Sequence, residues 1–238
     1  MTRAGFVIAI DGPAGTGKST VARRVAQALD AGYLDTGAMY RIVTLAVLRA
    51  GVDPVDDAAV AAVLPALTFE SPTTADRQEH VLDGDRVTSE IRGSAVTLAV
   101  TPVSANPAVR SFLLDRQRRL ARSGRMVVEG RDIGTVVVPD ADLKIYLTAD
   151  ATERARRRHR QNAALVGAGT GEVGLDLAAV ATDLHRRDSK DSSRTHAPLQ
   201  AAADAVVVDS SELAVEETVA RVLALAADRG IRASDASP

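Results

Sequence analysis

Ten residues into the chain, the apolar run "FVIAI" (Phe6–Ile10) gives way to "DGPAGTGKST" (Asp11–Thr20). The run is short, β-branched and without alternation, as a strand buried on both faces of a parallel sheet must be. Behind the glycines, Val21, Val25, Ala28 and Leu29 recur at helical spacing, so the loop joins a strand to a helix. Gly12, Gly17, Lys18 and Ser19 satisfy G-x-x-x-x-G-K-[ST] in the setting that pattern requires. Glycines let the backbone wrap a phosphate with its N–H groups inward, and the helix N-terminus adds partial positive charge. The segment Gly12, Pro13, Ala14, Gly15, Thr16, Gly17, Lys18, Ser19 and Thr20 is therefore expected to hold a nucleoside triphosphate. Lys18 would reach the β and γ oxygens, and the Ser19 hydroxyl would ligate Mg²⁺.

Strands and helices alternate along most of the chain. A second helix is expected over "TGAMYRIVTLAVLRA", ending at Gly51, and a third over Val109–Leu120. "RMVVEG", "DLKIYLTA" and "DAVVVD" read as strands, "DATERARRRHRQNAAL" as a strongly basic helix with an Asp cap, and "ELAVEETVARVLALAAD" as a closing helix. Another helix ends in "HRRDSKDSSR". Between residues 53 and 100 the character changes: "LTFES" and "HVLDGDRVTSEI" are short strands, with Asp83-Gly84 as a hairpin turn. Residues Gly167–Asp176 carry four glycines in ten positions and read as flexible, and "GIRASDASP" reads as a frayed tail. The expectation is an α/β fold of one domain: a doubly wound parallel sheet with an inserted β-rich segment at about 53–100. The core would be about 1–52, 101–150 and 196–229, a helical lid about 151–195, and a flexible tail 230–238.

Composition narrows the partners. A formal net charge of −2 offers no whole-protein attraction to nucleic acid or an anionic membrane, so any anion site must gather some of the 29 Lys and Arg residues locally. The chain has no cysteine, which excludes disulfides and thiolate metal sites. Phe6–Ile10 is too short for a signal-peptide core, and no stretch approaches the roughly 20 apolar residues of a membrane span. A cytoplasmic monomer that binds neither nucleic acid nor membrane is expected. No N-K-x-D guanine-reading motif and no L-S-G-G-Q-like transporter signature occurs, which leaves a small phosphotransferase.

Moving a phosphoryl group onto another phosphate brings several anions together, and guanidinium forks suit the task. Arg41 follows "DTGAMY", Arg110 opens a helix with "NPAVR", and Arg131 stands in "EGRDIG" just past a strand's carboxyl end, where open α/β sheets place ligands. Arg187, Asp191 and Arg194 would share one face of a continuing helix, as would Arg154, Arg157 and Arg158 on the basic one.

The segments "IDGPAGTGKST", "LDTGAMYR", "EIR", "NPAVR", "EGRDIGTVV", "PDADLKIYL", "ERARRR", "RRDSKDSSR" and "APL" occur in the order and spacing of bacterial cytidylate kinase. The chain resembles that family over about residues 6–228. The resemblance implies a P-loop kinase fold and Mg²⁺-dependent transfer of the γ-phosphoryl group of ATP to CMP or dCMP, in pyrimidine nucleotide metabolism. It implies an enlarged monophosphate-binding segment where the β-rich insertion falls. Carried over by position, Arg41, Arg131 and Arg194 become the clamp on the acceptor phosphate, with Thr36 and Tyr40 beside them and Tyr40 expected to pack rather than react. Thr101, Arg110 and Asp132 become the cytosine readers, and Arg187 and Asp191 the sugar contacts. Arg154, Arg157 and Arg158 match the lid, with at least one of them on the transferring phosphoryl. Lys18, Arg131, Arg157 and Arg158 are the residues expected to carry catalysis.

The base chemistry agrees with that carry-over. Cytosine offers a donor at N4, which suits the Asp132 carboxylate, and acceptors at N3 and O2, which suit Arg110 and Thr101. Uracil would set a lone pair against Asp132. The sequence departs from the family pattern in three places: Thr101 stands where serine is usual, Glu129 where aspartate is frequent, and the glycine-rich stretch lengthens the lid. The competing readings are a monophosphate kinase for another base, such as UMP, and a nucleotide-gated P-loop ATPase module.

Overall fold

The computed structural model describes residues 5–167, 176–194 and 197–234. Five parallel strands, β1 (Phe6–Asp11), β2 (Gly32–Asp35), β6 (Arg125–Glu129), β7 (Leu143–Thr148) and β8 (Val206–Asp209), form one sheet in the order β2-β6-β1-β7-β8. Alternate side chains of the central strands enter two apolar layers. Phe6, Ile8 and Ile10 of β1 pack with Val127, Ile145 and Leu147 beneath helices α1 (Lys18–Ala28) and α8 (Val215–Asp228). Val7 and Ala9 point the other way, with Leu34, Met126 and Val128, against α2 (Thr36–Arg49) and α5 (Pro107–Ala121). Because both faces are covered, the strands need no polar alternation. Ile8 is wholly buried, and its truncation to alanine would cost about 2–5 kcal/mol.

The insertion between α2 and α5 carries more helix than its sequence suggests. Its sheet is three two-residue strands, β3 (Phe69–Glu70), β4 (Val81–Leu82) and β5 (Asp85–Arg86), paired antiparallel. Asp83 and Gly84 both take positive φ, as the hairpin turn demands. Around that sheet lie α3 (Asp57–Val63) and α4 (Ser94–Ala105). The five β-branched residues and Pro102 in α4 hide its helical character.

Helices α6 (Ala151–Gly167) and α7 (Leu177–Ser192) pack against one another over the sheet's carboxyl edge. Most of the glycine-rich Gly167–Asp176 stretch lies outside the described residues. The tail expected to fray from residue 230 is held as far as Ser234: Ile231 is buried with the α1–α8 layer, and the Ser234 hydroxyl meets the Asp30 carboxylate at 2.5 Å. Among the described residues no helix is long and apolar enough to cross a membrane.

Candidate functional site

The carboxyl ends of β1, β2 and β6 open into a cleft of about 660 Å³. One wall is the loop between β1 and α1. Gly12 adopts φ +145°, and a Cβ there would collide with the carbonyl oxygen of Leu147 on β7. Gly15 lies at φ +79°, where a Cβ would come within 2.8 Å of the Arg154 carbonyl oxygen. No side chain caps α1, so its first amides face the cleft. The Lys18 ammonium folds back onto the Pro13 carbonyl at 2.7 Å, and the Thr16 hydroxyl donates to the same oxygen at 3.1 Å. Burial and the nearby Arg131 charge draw Lys18 down to about 7.

Two carboxylates stand behind this loop. Asp35 and Glu129 are direct partners across the β2–β6 ladder. Asp35 accepts from the Ala38 amide at 2.8 Å, capping α2, and from Arg92 at 3.2 Å. Glu129 accepts from the Tyr33 phenol and from the Ser19 hydroxyl. Burial and the Asp35 charge push Glu129 up to about 7. The Thr36 hydroxyl donates to the Glu129 carbonyl at 2.7 Å, so its place in the cleft is also a tie between β6 and α2.

The facing wall is cationic. Arg131, in the turn after β6, donates from Nε to Asp191 and from a terminal nitrogen to the Gly12 carbonyl, both at 3.1 Å. Arg194 meets the other Asp191 oxygen at 2.6 Å and the Ser104 hydroxyl at 2.9 Å. It lies two residues beyond the end of α7, so the shared helix face expected for Arg187, Asp191 and Arg194 is replaced by a bend that still brings Arg194 onto Asp191. Arg187 turns instead to Asp183, at 2.8 Å, and to the Thr97 carbonyl, at 3.2 Å. Arg41 donates to the Ile91 carbonyl and the Thr97 hydroxyl. Burial, with the charges of Arg158, Arg187 and Arg92, pulls Arg41 down to about 9. Such crowding of guanidiniums is a site prepared for an anion.

Beside that cluster, Arg110 of α5 forms a short ion pair with Asp132, which is 5 % exposed. The guanidinium lies 5.7 Å from the centre of the Tyr40 ring, and Tyr40 packs on the core as expected. Thr101, on α4, completes the same pocket wall. The structure thus brings Ala14 to Thr20, Thr36, Tyr40, Arg41, Thr101, Arg110, Arg131, Asp132, Arg157, Arg158, Arg187, Asp191 and Arg194 into one cleft. Gly12 and Pro13 stand behind it, in the backbone of the loop.

The three α6 arginines expected to form a lid have different partners. Arg154 pairs with Asp188 and donates to the Ala14 carbonyl at 3.2 Å. Arg157 donates to the carbonyls of Thr16 (3.1 Å) and Ser210 (2.6 Å) and pairs with Glu153 at 2.9 Å. Arg158 bonds Gln161 at 2.9 Å, and its charge bears on Arg41. Sequence reasoning left out Arg92, Ser104, Tyr33 and Asp11, all of which touch this site or its supports. The "EIR" segment held the signal for Arg92, whereas Tyr33 and Asp11 become visible only once the strands are in place, and Ser104 only once Arg194 is brought onto α4.

A strand–loop–helix phosphate cradle facing a guanidinium-lined pocket across one cleft, on a parallel sheet, defines a P-loop kinase. The family model for cytidylate kinase matches residues 8–228. The chain is 54 % identical over 230 residues to the cytidylate kinase of Rhodococcus jostii (strain RHA1), covering 96 % of this chain and 98 % of that protein. It is 55 % identical over 215 residues to that of Nocardia farcinica (strain IFM 10152), covering 90 % of each. To that of Geobacillus kaustophilus (strain HTA426) it is 46 % identical over 222 residues, covering 93 % of this chain and 96 % of the relative. The chain belongs to the cytidylate kinase family.

Proposed function

We propose that this chain transfers the γ-phosphoryl group of ATP to CMP or dCMP, giving ADP and CDP or dCDP. The observation that carries this reading is the Arg110–Asp132 pair, set beside Arg131, Arg194 and Asp191 in the same cleft as the phosphate loop. A carboxylate paired with a guanidinium presents an acceptor and a donor in one plane, which complements the N4 amine and N3 of cytosine. Uracil would leave the buried Asp132 carboxylate facing a carbonyl, so a UMP kinase is the poorer reading.

An acceptor phosphate oxygen, already ionised, attacks the γ-phosphorus in line while the β–γ bridging oxygen departs with ADP. No covalent enzyme intermediate and no general base is needed, because positioning and charge neutralisation lower the barrier. Arg41, Arg131 and Arg194 bind the acceptor phosphate, and Arg187 and Asp191 the sugar. Lys18 and the loop amides hold the β and γ oxygens of ATP. Among the lid residues we assign Arg158 to the transferring phosphoryl, since Arg154 and Arg157 are anchored to the loop's own carbonyls.

The residues near Ser19 suit Mg²⁺: a hydroxyl and the Glu129 and Asp35 carboxylates are hard oxygen donors. Bound there, Mg²⁺ would neutralise charge on the β and γ oxygens. Ser19 would ligate it directly, with Glu129 behind.

The insertion at about 53–100 and the lid at about 151–195 are the parts we expect to close over the two nucleotides, with α4 carrying Thr101 across the insertion's end. The protein is proposed to act in the cytoplasm as a monomer, with no nucleic-acid or membrane partner. An ADP-release assay with ATP, Mg²⁺ and CMP, dCMP, UMP, AMP or GMP tests the function. CMP and dCMP should be preferred, and a preference for AMP would sink the base-reading argument. ATP hydrolysis without any nucleoside diphosphate formed from CMP would favour an ATPase module instead.

A further inference from the structure

The three residues leading into the phosphate loop are each tied to the turn that follows β6. The Gly130 amide donates to the Ile10 carbonyl at 3.1 Å, and the Arg131 side chain to the Gly12 carbonyl at 3.1 Å. Between them, the Asp11 carboxylate accepts from the Ile133 amide on one oxygen and from the Gly134 amide on the other, each at 2.8 Å. Asp11 is 5 % exposed, so water does not replace either bond. The turn it grips begins at the base-reading position: the Val136 and Val137 amides donate back to the Asp132 carbonyl at 2.9 and 3.2 Å. Arg110, the partner of Asp132, comes from a different element, α5. A shift of the turn would therefore move Asp132 relative to Arg110.

We propose that Asp11 is a positioning residue for acceptor specificity: by gripping the Ile133 and Gly134 amides it sets where the Asp132 carboxylate stands, and with it the discrimination between amino- and oxo-pyrimidines. The inference rests on the acceptor reading above. A carboxylate offers an acceptor to each of the two donors. Asparagine keeps the shape but turns an NH2 group toward one of them, leaving buried donors opposed. The strain falls on the turn carrying Arg131 and Asp132, while the loop amides that hold ATP follow Asp11 on the other side.

The test compares wild type with Asp11→Asn in CMP and UMP turnover, in ATP affinity by calorimetry without acceptor, and in thermal melting. Loss of one bond to a charged acceptor should raise the CMP KM about tenfold and contract the CMP-to-UMP ratio of kcat/KM about tenfold, with ATP affinity within about threefold. An unchanged ratio overturns the proposal, and so does a parallel fall in ATP and CMP affinity. If Asp11→Asn does not fold, Asp11→Ser, which removes the second acceptor without opposing a donor, carries the same test. Failure of both variants to fold assigns Asp11 to the fold alone and overturns the proposal too. Wild type without preference for CMP over UMP would defeat the acceptor reading itself. A preference that survives in the variant defeats only the role of Asp11.

Discussion

Arg131 donates to the carbonyl oxygen of Gly12 across 3.1 Å, so the turn after β6 and the first residue of the phosphate loop are in direct contact. The guanidinium also holds Asp191. One side chain thereby spans the gap over which the two nucleotides are proposed to meet.

Removing that side chain should separate binding of the two substrates. Arg131→Ala is expected to raise the CMP KM and to lower kcat, each by about 10- to 100-fold, because a guanidinium serving both bound phosphate and developing charge is lost. ATP affinity, measured by calorimetry, should change little. Normal CMP turnover in this variant would remove Arg131 from the site.

The Arg110–Asp132 pair, proposed to read the base, predicts a change of preference as well as a loss. Asp132→Asn keeps the shape but weakens the acceptor for the N4 amine and leaves Arg110 without its counter-charge. CMP kcat/KM should fall about 100-fold while UMP kcat/KM falls less than about tenfold. Steady-state assays with both acceptors decide it, and equal losses would mean that Asp132 does not read the base.

Arg158 should behave unlike its neighbours on α6. Arg158→Ala is expected to lower kcat about 10²- to 10³-fold with either KM changing less than about fivefold, as for a cation acting mainly on the transition state. Arg157→Ala removes the tether to Thr16 and Ser210 and should raise the ATP KM instead. Exchange of these two patterns would reverse the assignment.

Glu129 makes the nucleotide-free protein's stability depend on pH. Its folded-state value of about 7 lies above the 4.5 of an unfolded glutamate, so its contribution is fully present below pH 4.5 and lost as pH rises through 7. Glu129→Gln stays neutral throughout. The variant should exceed wild type by on the order of 3 kcal/mol at pH 8.5 and show no advantage at pH 4.5. Thermal or denaturant unfolding without nucleotide or metal measures this, and an advantage independent of pH would refute the cause.

The strand β1 was legible because its apolar run lacks alternation, and the loop because glycine, lysine and serine stand between a strand and a helix. The Asp83-Gly84 turn announced its hairpin by residue type alone. Helix α4 was not legible, since Val, Thr and Pro102 speak against a helix that packing on α2 and α5 nevertheless stabilises. The arginines proposed for the acceptor could be named from their motifs, but not their partners. That Arg187 would reach the Thr97 carbonyl depends on the approach of α7 to α4. Asp35 and Glu129 face each other through ladder register, which links residues 94 positions apart and leaves no local trace.

The conflict between any Cβ at Gly12 and the Leu147 carbonyl has an evolutionary corollary. The obstacle comes from a neighbouring strand, not from a nucleotide. A descendant that had lost all phosphoryl transfer would still need glycine at this point for the chain leaving β1 to pass β7. Glycine at position 12 therefore testifies to the architecture, and Lys18 is the better witness that the chemistry persists.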